Sequence, residues 1–301
     1  MTGSVACVGE PLIVFSTRSM ADSQTATISE GGAEFNVAVH LSRLGLPVRF
    51  VGAVGDDVLG RRVQARLVRE GVDVRALHLE PGGRTGAYVR EWTPAQRTVS
   101  YLRAGSAASR LVPAPDAFVG VRHVHLSGIT AALSEHCVAL LDRLLAKPRP
   151  YSVSFDVNHR AKLWSAEAAA DCLARMAAAA DLVLVGRDEA EELWGTLTPN
   201  EVRRRLPDPP EFVVKDDGRE AVAWSGPERV GLAPTPVEIV DPVGAGDAFA
   251  AGYLYARLHG HAPLPALASG HRLAREALQA LDDLGRAVRP DDLALVLDGA
   301  R

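Results

Sequence analysis

Short apolar, β-favouring runs alternate with longer segments of helical periodicity along most of the chain. The apolar runs are continuous and do not alternate with polar residues, which is typical of strands buried on both faces. This alternation predicts an α/β fold, a mostly parallel sheet with helices on both of its faces. The predicted strands are Val5–Val8, Val48–Val54, His123–Leu126, Tyr151–Val157, Leu182–Val185, Phe212–Val214 and Ala221–Trp224.

Two of the periodic segments carry clear helix signals. In Ala33–Leu44 the apolar residues recur on one face, and Gly45 follows as a helix terminator. In Gly60–Glu70 the same spacing ends at Gly71. Both segments are therefore predicted as helices that cover the sheet.

Residues 11–30 and 82–103 break this rhythm, because they are rich in polar residues. The second segment contains two extended patterns, Thr85–Glu91 and Thr98–Arg103, on either side of a candidate hairpin loop at 92–96. We expect a small β-layer standing off a single domain that spans residues 1–301.

Composition excludes several classes of protein. A net charge of −4 over 301 residues gives no basic surface for nucleic acid. The three cysteines, Cys7, Cys137 and Cys172, lie far apart and form no metal-binding or disulfide framework. No apolar run reaches the roughly 18 residues of a membrane span, and the N-terminus lacks the pattern of a signal peptide. We expect a cytoplasmic protein with neither a nucleic-acid nor a membrane partner.

The most informative segment is Asp241–Phe249, with the sequence Asp-Pro-Val-Gly-Ala-Gly-Asp-Ala-Phe. A β-run, Val237–Val240, is predicted to lead into it, and an alanine-rich helix leads out. Gly244 and Gly246 allow a ligand to approach the backbone closely, and the first N–H groups of a helix bind phosphate. A carboxylate beside a phosphate needs a chemical reason, so Asp247 is predicted to accept the proton of an attacking hydroxyl.

Competing phosphate motifs can be tested on the same residues. The chain contains no Gly-Lys dipeptide, so the P-loop is absent, and Phe249 stands where a dinucleotide fingerprint needs glycine. A simpler interpretation remains, a glycine-rich helix start in which Asp247 only caps free N–H groups.

Three ordered segments together resemble the ribokinase-like (PfkB) family of sugar kinases. Asp241–Asp247 resembles the family's C-terminal motif, usually written D-T-x-G-A-G-D, and Gly31–Ala38 looks like its N-terminal motif. Val51–Asp57 with Gly60 is similar to the segment that follows. The resemblance implies a three-layer α/β/α sandwich with a small β-sheet lid. It also implies that the N–H groups of Gly244, Ala245 and Gly246 steady phosphate charge during transfer.

Further segments look like 2-keto-3-deoxygluconate kinases within that family. They are Gly9–Leu12, Thr85–Glu91, Tyr101–Ala107, His125–Thr130 and Asp156–Arg160. The resemblance implies a substrate site for a sugar acid. Guanidinium groups suit a planar carboxylate, and tyrosines offer a sugar both an apolar face and a hydroxyl. The implied substrate-binding residues are Gly32, Asn36, Tyr88, Tyr101, Arg103, Arg160 and Asp247.

Several of these residues have structural alternatives. Tyr88 and Tyr101 are also plausible as a packing pair across two strands. Arg103 could instead pair with an acid such as Glu91. Arg160, like Asp156 and Asn158, follows the C-terminal end of a predicted strand, where α/β proteins bind ligands. Asp156 and Asn158 are expected near the γ-phosphate or its metal, unless Asn158 only stabilises the turn.

The chain departs from the family pattern at three places. Glu189 fits an acidic position that acts on magnesium through water, but Gly186 replaces the preceding Asn or Ser. Lys215 and Gly218 resemble a nucleotide-flanking segment that lacks its second glycine. Ser269 stands where relatives often place an asparagine over the adenine. We assign Asn158, Lys215, Gly218, Gly244, Gly246 and Ser269 to the nucleotide.

The sequence therefore predicts an ATP- and Mg²⁺-dependent kinase that acts on a sugar acid, with 2-keto-3-deoxygluconate as the expected substrate. Fructose, other hexoses and nucleosides are the alternative substrates. A catalytically weak sugar sensor and a dinucleotide-dependent oxidoreductase are alternatives of other classes. Because strand edges are usually covered, a homo-oligomer formed through the lid is expected.

Overall fold

The computed structural model describes residues 4–92 and 97–299. The strands, in chain order, are β1 (Ser4–Val8), β2 (Leu12–Thr17), β3 (Thr27–Gly31), β4 (Val48–Gly55), β5 (Leu77–Glu80), β6 (Ala87–Trp92), β7 (Arg97–Leu102), β8 (Val121–Ser127), β9 (Ser152–Asp156), β10 (Leu182–Gly186), β11 (Glu211–Asp216), β12 (Glu220–Ser225) and β13 (Glu228–Leu232). The helices are α1 (Ala33–Arg43), α2 (Val58–Arg69), α3 (Gly128–Ala131), α4 (Glu135–Leu145), α5 (Ala166–Ala179), α6 (Arg187–Trp194), α7 (Pro199–Arg205), α8 (Ala245–Leu258), α9 (Pro263–Leu278) and α10 (Pro290–Gly299), with a 3₁₀ turn at Ala107–Arg110.

Across the described residues, nine strands form a larger sheet in the order β13-β12-β11-β10-β9-β8-β1-β4-β5. Every neighbouring pair from β5 to β11 is parallel, whereas β12 and β13 extend one edge as antiparallel strands. All seven predicted strands are present, and the mostly parallel sheet is confirmed. The two strands that the sequence did not predict, β5 and β13, are short and lie at the two edges.

Two apolar cores cover the faces of the larger sheet, as alternate residues of β1 illustrate. Val5 and Cys7 pack with residues of α1, α8 and α9, whereas Ala6 and Val8 pack with residues of α4, α5 and α6. All four β1 residues are fully buried, which explains why the sequence of this strand is apolar without alternation. The predicted three-layer α/β/α sandwich is confirmed.

A second, smaller sheet forms from the two polar-rich segments, in the order β3-β2-β6-β7. Strands β2 and β6 are parallel, and each has an antiparallel neighbour on its other side. Apolar side chains from β2, β6 and β7 make a separate small core. The predicted β-layer is therefore present, while loop residues 93–96 lie outside the described residues.

The β-run predicted at Val237–Val240 is wrong. The segment is irregular, and the N–H groups of Val240 and Asp241 donate to the carbonyl of Leu278 at the end of α9, at 2.8 and 3.2 Å. Pro234 and Pro236, which precede the segment, have no N–H group, so strand pairing cannot continue into it from β13. The approach to the glycine turn at 244–246 is thus held by a helix end and not by a sheet.

Among the described residues, no helix combines the length and the apolar character needed to cross a bilayer.

Candidate active site

The turn that opens α8 has the geometry of an anion site. Gly244 has a φ of 82°, and a Cβ there would lie 2.1 Å from the carbonyl oxygen of Asp283, so only glycine fits. No side chain caps α8 at Gly244. The N–H of Ala245 donates to the Pro242 carbonyl at 3.3 Å, and the remaining N–H groups of the first helical turn are offered to a ligand, with the positive end of the helix dipole behind them.

Asp247 lies in the first turn of α8 and is partly buried, in the wall of a cavity that Gly244 and Gly246 also line. Its carboxylate accepts hydrogen bonds from Nδ2 of Asn36 at 2.8 Å and of Asn158 at 3.4 Å. Burial raises the pKa of Asp247 to about 7 and the charge of Asp156 adds to the increase, although the Asn36 hydrogen bond and nearby cations oppose it. A carboxylate with this pKa can take up and release a proton near neutral pH.

Three neighbouring parallel strands supply the charges beneath the turn. Asp156 ends β9, Glu189 is in the first turn of the helix after β10, and Lys215 is in β11. Since the carboxyl ends of parallel strands share one edge of a sheet, these side chains meet. Lys215 Nζ lies 3.0 Å from Asp156 Oδ2 and 3.6 Å from the position a Cβ on Gly246 would occupy, which puts a cation beside the anion site.

Glu189 is held firmly although Gly186 replaces a polar residue. Its Oε2 accepts from the N–H of Gly186 at 3.1 Å, and its Oε1 accepts from Nη1 of Arg160 at 3.1 Å. Burial raises the pKa of Glu189, while the charges of Arg160 and Lys215 work in the opposite direction. The departure at Gly186 thus leaves the carboxylate in place.

The smaller sheet forms the opposite wall of the cavity. Tyr88 and Tyr101 are direct cross-strand partners, with ring centroids 6.1 Å apart at an angle of 67°, and both line the cavity. They are therefore a packing pair and also cavity residues, which combines the two interpretations made from sequence. The Tyr88 hydroxyl donates to Asp283 Oδ2 at 2.9 Å.

Arg103 also lines the cavity, but its charge is already paired. Its Nε donates to Glu10 Oε2 at 2.6 Å, and both side chains are buried. Burial raises the pKa of Glu10, and Arg103 and Ser106 oppose that increase. The acid that Arg103 pairs with is thus Glu10 and not Glu91, whose carboxylate accepts from the backbone N–H of Met20.

These elements enclose a cavity of about 470 Å³. All the residues predicted to bind substrate line it: Gly32, Asn36, Tyr88, Tyr101, Arg103, Arg160 and Asp247. The same cavity is lined by Asn158, Glu189, Lys215, Gly244 and Gly246, which were predicted for nucleotide or metal. The sequence-predicted site therefore converges on one place in the fold.

Two predicted residues lie elsewhere. Gly218 is in the turn between β11 and β12, and Ser269 is fully buried in α9, where its backbone packs against Gly252 of α8. Neither lines the cavity, and their assignment to the nucleotide stays a prediction. Ala245 is the first residue of α8 and contributes backbone only.

Several residues of the site were not predicted as site residues. Glu10 and Arg90 are in segments already singled out by resemblance, but a local pattern does not reveal their partners, 93 and 193 residues away. Asp283 lines the cavity without any sequence signal. Lys162, two residues after Arg160, lines the cavity and donates to the carbonyl of Val99 on β7 at 2.8 Å.

Comparison with known proteins identifies the class of chemistry. Residues 2–283 match the model of the pfkB family of carbohydrate kinases. The chain belongs to this family. It is an ATP-dependent sugar kinase, a phosphotransferase, which decides against the oxidoreductase alternative.

Individual relatives within the family are named for different sugar substrates. A 2-dehydro-3-deoxygluconokinase of Bacillus subtilis is 33% identical over 92% of this chain and 90% of its own length. A fructokinase of Klebsiella pneumoniae is 32% identical over 74% of this chain and 75% of its own length. The structure of a putative ribokinase II of E. coli in complex with ATP and Mg²⁺ covers 99% of both chains, with a TM-score of 0.87 at 23% identity, and shows the shared fold.

Proposed function

We propose that this kinase transfers the γ-phosphoryl group of ATP to the terminal hydroxyl of 2-keto-3-deoxygluconate, also called 2-dehydro-3-deoxygluconate. The observation that carries the proposal is one cavity in which Asp247 lies between a glycine turn and a wall of tyrosine and arginine. The B. subtilis relative named as a 2-dehydro-3-deoxygluconokinase supports the choice of sugar.

The proposed chemistry needs one proton acceptor. The acceptor oxygen of the sugar bonds to the γ-phosphorus, the bond from that phosphorus to the β–γ bridging oxygen breaks, and ADP leaves. The hydroxyl proton goes to the carboxylate of Asp247, whose pKa of about 7 keeps a large ionised fraction at neutral pH. Asn36 and Asn158 hold this carboxylate in one orientation.

The N–H groups of the turn and the ammonium group of Lys215 stabilise the negative charge that develops on the phosphoryl oxygens. The N–H groups of Gly244, Ala245 and Gly246 form the start of α8, and the dipole of a long helix adds to their effect. Lys215 is fixed close to Gly246 by its pair with Asp156. Preorganised donors of this kind lower the barrier without rearranging during the reaction.

The acidic residues suit a magnesium ion that is bound mainly through phosphate and water. No cluster of three or more potential ligands occurs in the described part of the chain, which fits the sparse protein coordination of Mg²⁺. The buried Oδ1 of Asn158 has no hydrogen-bond partner, and Glu189 and Asp156 lie at the same edge of the sheet. Glu189 through water, with Asp156, would hold the ion, which supplies charge neutralisation between the phosphates.

The carboxylate of the sugar acid would be bound mainly by Arg160. Its side chain is 44% solvent-exposed and lines the cavity, and its Nη1 donates to Glu189 and to the His159 carbonyl. Arg103 contributes through the donors that Glu10 leaves free, and the two tyrosines provide an apolar face for the sugar. Arg160 is therefore the residue on which the choice of an acidic sugar depends most.

The smaller sheet acts as a lid in this proposal. It covers the sugar side of the cavity, so closure excludes water and prevents hydrolysis of ATP.

The edge strands of the smaller sheet, β3 and β7, carry the exposed side chains Ile28 and Leu102, and a second copy covering these edges would make a homo-oligomer. Light scattering at micromolar protein checks this, and a monomer there contradicts the oligomer.

A panel of acceptors tests the substrate. ADP release is measured with 2-keto-3-deoxygluconate, its galactonate epimer, gluconate, fructose, ribose and a nucleoside, at fixed ATP and Mg²⁺. We expect kcat/KM for the keto-deoxy acid to exceed that for fructose by about 100-fold, since one charged contact is worth about 1.5–3 kcal/mol. Equal rates on fructose and the acid would remove the sugar-acid assignment.

One observation favours a neutral sugar as the second candidate. Because Glu10 neutralises Arg103, the lid wall offers less positive charge than its sequence indicates. The fructokinase relative agrees with this alternative. Fructose is therefore the comparison that the panel must include.

A further inference from the structure

A buried arginine on the smaller sheet has no role in the transfer described above. Arg90 is on β6, two residues after Tyr88, and is only 4% exposed. Its Nη1 lies 3.0 Å from Asp283 Oδ1 and 3.1 Å from Asp241 Oδ2. Its Nη2 donates to the Leu281 carbonyl at 2.7 Å and to Ser16 Oγ at 3.1 Å.

The two carboxylates that Arg90 joins belong to different parts of the site. Asp241 is the first residue of the phosphate turn, and its Oδ1 accepts from the N–H of Val243 at 3.1 Å. Asp283 binds the Tyr88 hydroxyl with its carboxylate, and its carbonyl oxygen lies against Gly244. One guanidinium thus connects the sugar wall and the phosphate turn through a single layer of contacts.

The chemistry of arginine suits this connection better than that of any other cation. A guanidinium has a fixed planar fork of donors, so it fixes the directions of its partners as well as their distance. Asp241 and Asp283 are both nearly fully buried, and without Arg90 their charges would face each other uncompensated. Arg90, Asp241 and Asp283 can therefore adopt few relative orientations in which both carboxylates remain paired.

We propose that Arg90 is a positioning residue that makes the phosphate turn and Tyr88 adopt their binding geometry together. Sugar and nucleotide consequently bind with positive coupling, because each ligand stabilises the arrangement that the other requires. The inference rests on the proposed roles of the turn and of Tyr88, but not on the identity of the sugar. Arg90 itself does not line the cavity.

The experiment measures coupling directly by calorimetry. The dissociation constant of the sugar is determined with and without ADP and Mg²⁺, using the panel sugar that the wild-type enzyme phosphorylates fastest. Wild type is expected to bind the sugar at least about fivefold more tightly with ADP present. The test variant is R90M/D283N, in which removal of one carboxylate compensates for the lost cation.

Two controls isolate the role of Arg90. D283N alone keeps Arg90 against Asp241, so the difference between D283N and R90M/D283N belongs to the arginine. R66M is the matched control for general loosening of the smaller sheet, because Arg66 on α2 lies 3.3 Å from the buried Glu30 of β3, which keeps its second partner Arg62 in this variant. R66M is expected to keep both the coupling and kcat within twofold of wild type.

We expect R90M/D283N to bring the coupling ratio to within about twofold of one, and to lower kcat at least tenfold relative to D283N, as misplacement of reacting groups does. Retention of the D283N coupling in the double variant would reduce Arg90 to a structural ion pair and end the proposal. So would a wild-type ratio of one, or an equal loss in R66M. If the double variant does not unfold cooperatively, R90K takes its place: it keeps the charge without the fork, and unchanged coupling in R90K overturns the proposal.

Failure of the proposed function gives a different pattern. If Asp247 is not the base, D247N retains activity while Arg90 is intact and coupling is unaffected. If the sugar is wrong, another member of the panel replaces it and the coupling experiment proceeds unchanged.

Discussion

The end of the cavity that we assign to phosphate and the end that we assign to the sugar are built in different ways. The phosphate end consists of backbone N–H groups in one contiguous turn, with charges from adjacent strand ends beneath it. The sugar end consists of side chains from separate segments, and its charges are set by distant partners such as Glu10 and Asp283. Phosphate chemistry is therefore readable from a short motif, whereas sugar preference depends on tertiary pairing.

Loss of the carboxylate at residue 247 is expected to have the largest effect. D247N keeps the shape and can still contact Asn36, but it cannot accept a proton, so kcat should fall between about 100-fold and 10,000-fold. ADP release at saturating sugar measures this. D188N is the matched control, because Asp188 is an exposed acid one residue before Glu189. Activity in D247N equal to that of D188N would contradict the role of the base and leave the turn as a simple helix start.

A side chain at residue 244 tests whether the backbone N–H groups of the turn bind the phosphate. G244A forces a Cβ against the Asp283 carbonyl at a φ of 82°, so the N–H groups move and kcat should fall about 100-fold. G260A serves as the control, since Gly260 has a φ of 83° with nothing within 4 Å of its Cβ position. Both variants share the backbone strain, and equal kinetics in the two would show that the turn does not act on the phosphate.

Substitution of Arg160 tests whether a side chain at the sugar end selects an acidic sugar. R160M should lower kcat/KM for the keto-deoxy acid between about 10-fold and 100-fold, because one charge-assisted contact is lost, and should change the value for fructose much less. The acceptor panel gives both values. R110M provides a comparison with an arginine outside the cavity, paired with Glu80. A parallel loss on both sugars would assign Arg160 to the phosphate end.

The pH profile gives the smallest expected effect. The base must be ionised, so kcat/KM should rise with pH through about 7, the pKa of Asp247, and should increase about tenfold between pH 6 and pH 8. N36A removes a hydrogen bond that lowers this pKa, so its profile should shift to higher pH. A flat profile over this range would separate the base from Asp247.

The same comparison explains how much the sequence predicted. Central strands such as Val5–Val8 were found because burial on both faces leaves an apolar run, while the edge strands β5 and β13 lack that signal. The irregular Val237–Val240 segment has strand-like composition, but its backbone bonds to the end of α9. Tertiary context decided all three cases.

The site residues divide in the same way, into those with a local sequence signal and those whose role depends on distant partners. The turn was predictable residue by residue because its geometry is local, as the positive φ of Gly244 illustrates. The partners Arg103 and Glu10 are 93 residues apart, and Asp283 is 193 and 195 residues from Arg90 and Tyr88; a pattern in one sequence does not encode such pairings. The residues that tune the sugar end were therefore the ones missed.

The raised pKa of Asp247 also has a thermodynamic consequence for the folded state. Its pKa rises from 3.8 to about 7 on folding, so the native chain loses stability as pH increases through this window, by roughly 4 kcal/mol. The carboxylate that we propose as the base thus opposes folding at the neutral pH at which it would act. The melting temperature of D247N should accordingly exceed that of wild type, by a margin that is wider at pH 8 than at pH 5.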